Sequence, residues 1–206
     1  MRHTSSRREF LKQASFTTAA FGMTAASYAR VAGANDRISI GVIGCGGRGR
    51  GAHMKGVHAH QDAQNIEITA VADPWRTRRE KAAEMCKEWY GRPARMFVSY
   101  RDLVQLEDVD AVMIASCDHQ HTTHLEATAK AGKDVYCEKP LAMDFDRLKQ
   151  AVDAVKAAKV VCQIGTQVRS YPTSTGCREL FQSGVLGNLS RTNSLGVTDL
   201  IIYPPI

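Results

Sequence analysis

A glycine-rich turn that follows a short apolar strand constrains the fold of this chain more than any other segment. The β-rich run Ile38–Ile43 leads directly into GCGGRG, residues 44–49, which matches the pattern G-x-G-x-x-G. In a strand–turn–helix unit, Gly44 allows the tight turn, Gly46 lets the backbone approach a pyrophosphate, and Gly49 permits close helix packing. The N-terminus of the following helix would carry partial positive charge toward the phosphates.

An aspartate farther along the chain strengthens this interpretation. A second apolar strand, Ile66–Ala72, ends at Asp73, 24 residues after the last glycine of the turn. A carboxylate at this place accepts hydrogen bonds from ribose hydroxyls. With Gly47 and Arg48 completing the turn, the pattern predicts NAD as the cofactor. A structural glycine turn, with Asp73 only opening a helix before Pro74, remains the alternative.

Strand and helix patterns alternate along the chain as far as residue 165. Helices are predicted at 49–60, 77–90, 100–105, 121–131 and after Asp144, and further strands at 111–116, 135–137 and 160–164. A capping box, Thr77 to Glu80, is expected to begin the second helix. Such an order demands parallel strands joined by right-handed crossovers. The sequence therefore predicts an α/β, Rossmann-type, doubly wound parallel sheet over residues 35–165.

Two opposite charges stand at the end of a short strand within AGKDVYCEKPLA, residues 131–142. The strand Val135–Cys137 runs into Glu138, Lys139 and Pro140. Open α/β sheets bind their ligands at the carboxyl ends of the strands. We therefore predict that Glu138 and Lys139 lie beside the cofactor, with a surface ion pair as the alternative.

A loop of polar groups, residues 116–121, follows the strand at 111–116. Ser116, His119 and His121 are predicted cofactor contacts, since the loop is rich in groups that titrate or donate near neutral pH. His124, in the helix that follows, is interpreted as a packing or capping residue. Because the three histidines are split between loop and helix and no carboxylate pair completes a set, we predict no metal site.

These segments together resemble the family of NAD(P)-dependent sugar oxidoreductases, Gfo/Idh/MocA, that contains glucose-fructose oxidoreductase and inositol dehydrogenase. The resemblance runs from about Asp36 to Leu195 and is carried by GVIGCGGRG, VADPW, AVMIAS, HTTHLEATAKAGKDVYCEKPLA and QIGTQ. It implies a Rossmann domain followed by a second α/β domain, whose open antiparallel sheet covers the nicotinamide and holds a sugar-like substrate. We also expect the full-length protein to be a homo-oligomer.

The resemblance further implies roles for two residues. Lys139 becomes the catalytic lysine, whose ammonium hydrogen-bonds the substrate hydroxyl as it turns into a carbonyl. Gln167 lies near the nicotinamide end of the cofactor. The expected activity is hydride transfer between NAD and a CH–OH group, and an NAD-dependent glycoside hydrolase or a non-catalytic nucleotide sensor remain alternatives.

The identity of the dinucleotide depends on the residues around Asp73. Its carboxylate would repel a 2′-phosphate, so NAD is expected over NADP. The arginines at 76, 78 and 79 follow closely and could contact a 2′-phosphate, which keeps NADP possible.

The segment 166–206 is too short to bury a separate sheet-sized core. It holds a predicted helix at 173–183, a turn at 184–188 and one strand at 189–197. We expect it to be a linker and the truncated start of a second domain, so that the chain is a fragment and inactive as it stands. A naturally short protein whose strand pairs with a partner is the alternative.

The first 34 residues resemble an export signal. Arg7 and Arg8 are followed by Phe10-Leu11-Lys12 and an Ala/Thr-rich stretch over 14–29, which predicts a twin-arginine signal peptide over residues 1–34. The stretch is too short and too polar to span a membrane stably. The expected partner is the twin-arginine translocase and the expected location is the periplasm, with a disordered basic arm as the alternative.

Without residues 1–34, the net charge and the cysteine pattern of the chain exclude two classes of function. Removal of that segment lowers the net charge from +6 to +2, which leaves no argument for nucleic-acid binding. The six cysteines show no metal-binding spacing. Twin-arginine substrates fold in the reducing cytoplasm, so buried free thiols are expected rather than a disulfide framework.

Overall fold

A six-stranded parallel sheet forms the centre of the computed structural model, which describes residues 37–187. The strands are β1 (Ile38–Ile43), β2 (Ile66–Ala72), β3 (Arg95–Phe97), β4 (Ala111–Ile114), β5 (Asp134–Glu138) and β6 (Cys162–Gly165). Their order is β3-β2-β1-β4-β5-β6, and all five pairings are parallel. This is the strand order of a dinucleotide-binding doubly wound fold. The predicted fold class is confirmed.

Helices connect the strands. They are α1 (Lys55–Ala59), α2 (Gln61–Gln64), α3 (Arg76–Tyr90), α4 (Tyr100–Val104), α5 (His121–Lys130), α6 (Phe145–Ala158) and α7 (Pro172–Gln182). A π-helical turn, Gly49–Met54, precedes α1, and the backbone is already helical at Gly47, two residues before the predicted start at Gly49. Short 3-10 turns lie at Asp118–Gln120 and Gln167–Ser170.

Local sequence explains several helix ends. Asp144 caps α6, its carboxylate accepting the backbone N–H of Arg147 at 2.8 Å. Gly132 adopts a φ of +72° just after α5 and so ends that helix as predicted. The predicted capping box is wrong: α3 begins at Arg76, no side chain caps its first turn, and Thr77 lies inside the helix.

Strand β3 is absent from the sequence-based expectation. Its three residues pair with Ala70–Ala72 of β2 at the margin of the sheet. A strand of three residues is too short to give a clear alternating pattern. Its position matters, because the chain leaving β3 places Ser99 and Tyr100 near the ends of β1 and β2.

The core has two layers, one on each face of the sheet. Neighbouring residues of β1 point to opposite faces, so Ile43 joins one cluster with Ile114 and Leu125, and Val42 joins the other with Met54. Helices therefore cover both faces, which is the arrangement that a buried parallel sheet requires.

The chain divides between Gly165 and Thr166 into two compact units. The first holds the sheet and the helices through α6. The described part of the second contains the turn Gln167–Ser170 and α7, with a proline in its first turn. The predicted signal peptide and the predicted strand at 189–197 lie outside the described residues. No helix within 37–187 is both long and apolar enough to cross a membrane.

Candidate functional site

A cleft of about 650 Å³ opens at the carboxyl end of the sheet, where β1, β2 and β4 finish. Seven of the predicted cofactor contacts line it: Gly44, Gly46, Gly47, Arg48, Asp73, Ser116 and His119. These residues come from three separate turns, so the fold brings them together as the strand-end argument expects.

The glycines of the first turn serve different purposes. Gly44 has a φ of +93°, and a Cβ there would lie 2.5 Å from the carbonyl oxygen of Ala115. A Cβ on Gly49 would overlap the carbonyl oxygen of Gly44. The space above Gly46 is open, since its nearest neighbour would be Arg78 at 3.7 Å, and Gly47 has no atom within 4 Å. The fold itself requires Gly44 and Gly49, whereas the room at Gly46 and Gly47 fits a pyrophosphate.

Asp73 joins the glycine turn to the end of β2. It is only 6% exposed, and its two carboxylate oxygens accept the backbone N–H groups of Cys45 and Trp75, each at 2.8 Å. A carboxylate has about four acceptor positions, so each oxygen can still accept a ribose hydroxyl. The two backbone bonds hold the group in place at the cleft wall.

The three arginines after Asp73 have different positions. Arg79 donates to the backbone carbonyls of Asp73 and Pro74 at 2.5 and 3.0 Å, so it stabilises the turn. The Arg76 guanidinium is exposed and lies 3.7 Å from Glu80. Arg78 stacks on the Trp75 ring at 4.5 Å and lines the cleft. Of these three cations, Arg78 is the one that reaches the ligand space.

His124 lies at the cleft, although the sequence suggested only packing. Its Nδ1 is 2.9 Å from the Ser116 hydroxyl, and its ring lies 4.3 Å from the Tyr100 ring. Burial, together with nearby cationic groups, lowers the pKa of His124 to about 4. His124 is therefore an uncharged hydrogen-bonding group at pH 7, and its burial agrees with the predicted packing role.

His121 does not line the cleft, contrary to its predicted cofactor contact. It is 1% exposed, with Nδ1 2.7 Å from the Pro140 carbonyl and Nε2 3.1 Å from the Ser116 carbonyl. Its two nitrogens thus connect the loop after β4 with the segment after β5. The structure gives His121 a positioning role, because its first-turn place in α5 directs the ring into the protein.

Glu138 ends β5 and is buried, so the alternative of a surface ion pair with Lys139 is wrong. One carboxylate oxygen accepts the Arg48 guanidinium Nε–H at 2.6 Å, and the other accepts the backbone N–H of Lys139 at 3.1 Å. His53 Nε2 lies 2.9 Å from the first oxygen. Lys139 itself is exposed.

Opposing effects set the charge of Glu138. Burial alone would raise the pKa of its carboxyl group, but the Arg48 hydrogen bond, the Lys139 N–H and the nearby charges outweigh it and lower that pKa. Burial lowers the pKa of His53, an effect that Glu138 partly opposes. At neutral pH the group consists of a carboxylate, a guanidinium and a neutral imidazole.

The remaining predicted residues and groups lie elsewhere. Gln167 belongs to the second unit, and its cofactor role stays a prediction. All six cysteines are free thiols; burial raises the pKa of Cys45, Cys86 and Cys137 to about 12. Within residues 37–187 no cluster of histidine, cysteine or acidic side chains is arranged to hold a metal ion.

Several cleft residues were not singled out from the sequence. They are Val98, Ser99, Tyr100, Arg101, Cys117 and Gln120. The first four follow β3, and recognising that short strand would have placed them at a strand end. His53 was also missed, since it follows the glycine motif without belonging to it.

Residues 38–166 match the Gfo/Idh/MocA oxidoreductase family, described as having an NAD-binding Rossmann fold. The chain belongs to this family. Its described sheet, glycine turn and strand-end lysine are therefore parts of an NAD-binding Rossmann domain.

Two named relatives each match about three quarters of the chain. It is 33% identical to inositol 2-dehydrogenase of Rubrobacter xylanophilus over 156 residues, 75% of this chain and 42% of that protein. It is 30% identical to the rhizopine catabolism protein MocA of Rhizobium meliloti, covering 74% of this chain and 45% of that protein. The chain thus spans less than half the length of these two Gfo/Idh/MocA proteins.

Solved structures agree with the fold. The WlbA dehydrogenase of Bordetella pertussis, in complex with NADH and UDP-GlcNAcA, is 26% identical with a TM-score of 0.65, covering 73% of this chain and 44% of that chain. Scyllo-inositol dehydrogenase of Lactobacillus casei, with bound NAD(H) and scyllo-inositol, is 25% identical with a TM-score of 0.61, covering 74% and 43%.

Proposed function

We propose that this chain is the cofactor-binding part of an oxidoreductase that transfers a hydride between NAD and a hydroxyl-bearing carbon of a sugar or polyol. The observation that carries the proposal is the meeting of Arg48 and Glu138 at 2.6 Å, because it joins the phosphate-binding turn to the strand end that bears Lys139. The similarity to inositol 2-dehydrogenase and to a scyllo-inositol dehydrogenase supports the substrate class.

The residues of this chain have separate tasks in this reaction. Bound NAD supplies the hydride chemistry. The backbone at Gly46 and Gly47 would hold the pyrophosphate, and the N–H groups of the helical segment that begins at Gly47 would face it. Asp73 accepts hydrogen bonds from the adenosine ribose. The Lys139 ammonium would hydrogen-bond the substrate hydroxyl and orient it as it becomes a carbonyl.

We propose that NAD is preferred over NADP. A 2′-phosphate would stand against the Asp73 carboxylate, which is fixed by two backbone bonds and cannot rotate away without breaking them. Arg78 and Arg101 both line the cleft and are cations that could offset this repulsion. Equilibrium titration of the full-length protein with both dinucleotides tests the proposal, and tighter binding of NADP would overturn it.

Replacement of the lysine tests the reaction. Lys139→Ala in the full-length protein is expected to lower turnover about 10²-fold or more, the scale of a lost acid–base group, with nearly unchanged NAD affinity. Lys130→Ala is the matched control, since Lys130 is an exposed lysine paired with Glu126 on α5. Unchanged turnover of Lys139→Ala would contradict the assigned role.

The same assay distinguishes other reactions. Wild-type protein, mixed with inositols and sugars, is expected to change the nicotinamide absorbance as substrate is oxidised. Release of sugar from a glycoside without net change in that absorbance would indicate the hydrolytic alternative. If no sugar changes the nicotinamide absorbance and no glycoside is cleaved, the result would indicate a nucleotide sensor.

We further propose that the protein is exported through the twin-arginine translocase to the periplasm, with NAD already bound, and that the full-length form is a homo-oligomer. The adjacent Arg7 and Arg8 before an Ala/Thr-rich stretch support export. Export should stop when both become lysine, and protein purified from the periplasm should release dinucleotide on denaturation. Continued export of the double variant would contradict the export signal, and periplasmic protein without dinucleotide would contradict export with bound NAD. Light scattering of the full-length protein tests the homo-oligomer.

A further inference from the structure

Glu138 brings together two segments that are far apart in sequence. Its side chain is 4% exposed. One oxygen contacts Arg48 at 2.6 Å and His53 at 2.9 Å, both from the region after β1, and the other accepts the N–H of Lys139 at 3.1 Å. Both carboxylate oxygens of Glu138 therefore have polar partners, and one of them accepts a hydrogen bond from the backbone N–H of Lys139.

The π-helical turn Gly49–Met54 explains how Arg48 and His53 reach the same oxygen. Five positions along an α-helix rotate a side chain by about 500°, which leaves the pair about 140° apart. A π-helical turn closes its hydrogen bonds between residues i and i+5 and winds more slowly, so positions five apart lie closer in angle than in an α-helix; Arg48 immediately precedes this turn and His53 lies within it. The turn thus aligns two side chains that a regular helix would direct differently.

His53 is held in place by β5 as well. It is buried, and its ring meets the Tyr136 ring edge-on at a centroid distance of 5.0 Å. Tyr136 and Glu138 are two positions apart on β5 and therefore face the same side of the sheet. Nε2 of His53 has no well-aligned hydrogen bond among the described residues, although it lies beside the carboxylate. The imidazole thus packs across Tyr136 and borders Glu138.

The charges of this group balance without Lys139. Arg48 neutralises Glu138, and buried His53 is uncharged at neutral pH. A buried carboxylate that loses its cationic partner is strongly disfavoured, so the Arg48 contact keeps the Glu138 side chain in this position. Among residues 37–187 the Lys139 ammonium has no ion-pair partner and can meet a ligand, while its backbone is anchored by Glu138.

We propose that Arg48, His53 and Glu138 act as one positioning unit, the carboxylate clamp, which fixes the Lys139 segment at a set distance from the phosphate-binding turn. The clamp rests on the proposed function of Lys139. Glu138 acts through the backbone of its neighbour and not by contact with substrate. A lysine displaced by even 1 Å from its productive position would lose much of its effect on turnover.

A double-mutant cycle in the full-length protein tests the clamp. Glu138→Gln is expected to lower turnover between about 10- and 100-fold at saturating NAD and substrate, with NAD affinity changed much less. In a Lys139→Ala background the same substitution should have almost no further effect, because the positioned group is gone. Losses that multiply, or a loss of NAD affinity in place of turnover, would overturn the proposal.

Arg48 provides a second test that does not depend on the folding of Glu138→Gln. Arg48→Gln should lower turnover at saturating NAD, and Arg48→Lys, which keeps the charge, should recover part of it. The control is Arg37→Gln, which breaks a similar pair between Arg37 and buried Glu67 at the other end of the sheet and should leave turnover unchanged. Equal loss in all three variants would mean a general structural effect and would overturn the clamp.

The outcomes separate the two proposals. Full turnover of Lys139→Ala contradicts the proposed function. Impaired Lys139→Ala together with normal Glu138→Gln contradicts the clamp alone.

Discussion

Two buried glutamates occupy opposite ends of the same parallel sheet. Glu67 lies near the beginning of β2 and is held by Arg37 at 2.5 Å and Arg92 at 2.8 Å. Glu138 lies at the end of β5 and is held by Arg48 at 2.6 Å. Burial and ion pairing are alike at the two ends, so neither property identifies a functional site.

The two ends of the sheet differ in what surrounds the carboxylate. The amino end also has a cleft, of about 690 Å³, lined by Arg37, Glu67 and Tyr90 among others, which is as large as the one at the carboxyl end. At the carboxyl end, however, helical turns begin and the backbone at Gly46 and Gly47 is open. Backbone N–H groups can face an anion there, which gives that end its binding chemistry.

The largest expected effect is the loss of stability on replacing Gly49 at the carboxyl end of the sheet, compared with Gly91 at the amino end. Gly49→Ala should destabilise the protein by about 4 kcal/mol or more and abolish NAD binding, because its Cβ would overlap the Gly44 carbonyl. Gly91→Ala, near Arg92, should cost only about 1 kcal/mol, since its φ is +74° but no atom lies within 4 Å. Denaturant unfolding and NAD titration measure both; equal losses would remove the distinction between the ends.

A pH-dependent effect is specific to the carboxyl end. Folded His124 has a pKa of about 4, below the ordinary histidine value near 6.5, so the unfolded chain binds its proton first as pH falls. Stability from this residue is complete above about pH 6.5 and is lost progressively toward pH 4, by up to about 3 kcal/mol. His124→Gln should flatten the stability curve between these values. An unchanged slope would contradict the burial effect.

The sequence predicted the parts of this fold that repeat or have fixed spacing. The turn at 44–49, the acid 24 residues later and the strand-end lysine are local patterns with a physical reason. Strand β3 was not predicted, because three residues are too few to show a periodic pattern. The π-helical turn and the contacts of His53 depend on packing against β5, so they could be seen only once the sheet was assembled.

A smaller effect is expected at Glu67, which allows a direct comparison with Glu138. Glu67→Gln should destabilise the protein by about 2 kcal/mol, less than for a fully enclosed pair, because Arg37 and Arg92 are partly exposed and can return to water. NAD affinity and turnover should not change. Thermal unfolding and steady-state kinetics decide this; a turnover loss as large as that of Glu138→Gln would place function at both ends of the sheet.

The smallest effect concerns cofactor choice. Asp73→Ser should reduce the preference for NAD over NADP by about tenfold, or about 1.4 kcal/mol, since the repulsion of a 2′-phosphate is removed while Arg78 remains. Competition between the two dinucleotides gives the ratio directly. A ratio that stays the same would show that Asp73 does not face the ribose.

Binding of NAD by a Gly46→Ala variant tests the central claim most directly, because a Cβ at that position would make only an ordinary van der Waals contact with Arg78, at 3.7 Å, and should leave the fold intact. If the carboxyl end of the sheet holds the pyrophosphate against this backbone, calorimetric titration should show NAD affinity lowered at least about tenfold with an unchanged unfolding midpoint. Wild-type NAD affinity in a stably folded Gly46→Ala protein would contradict the account.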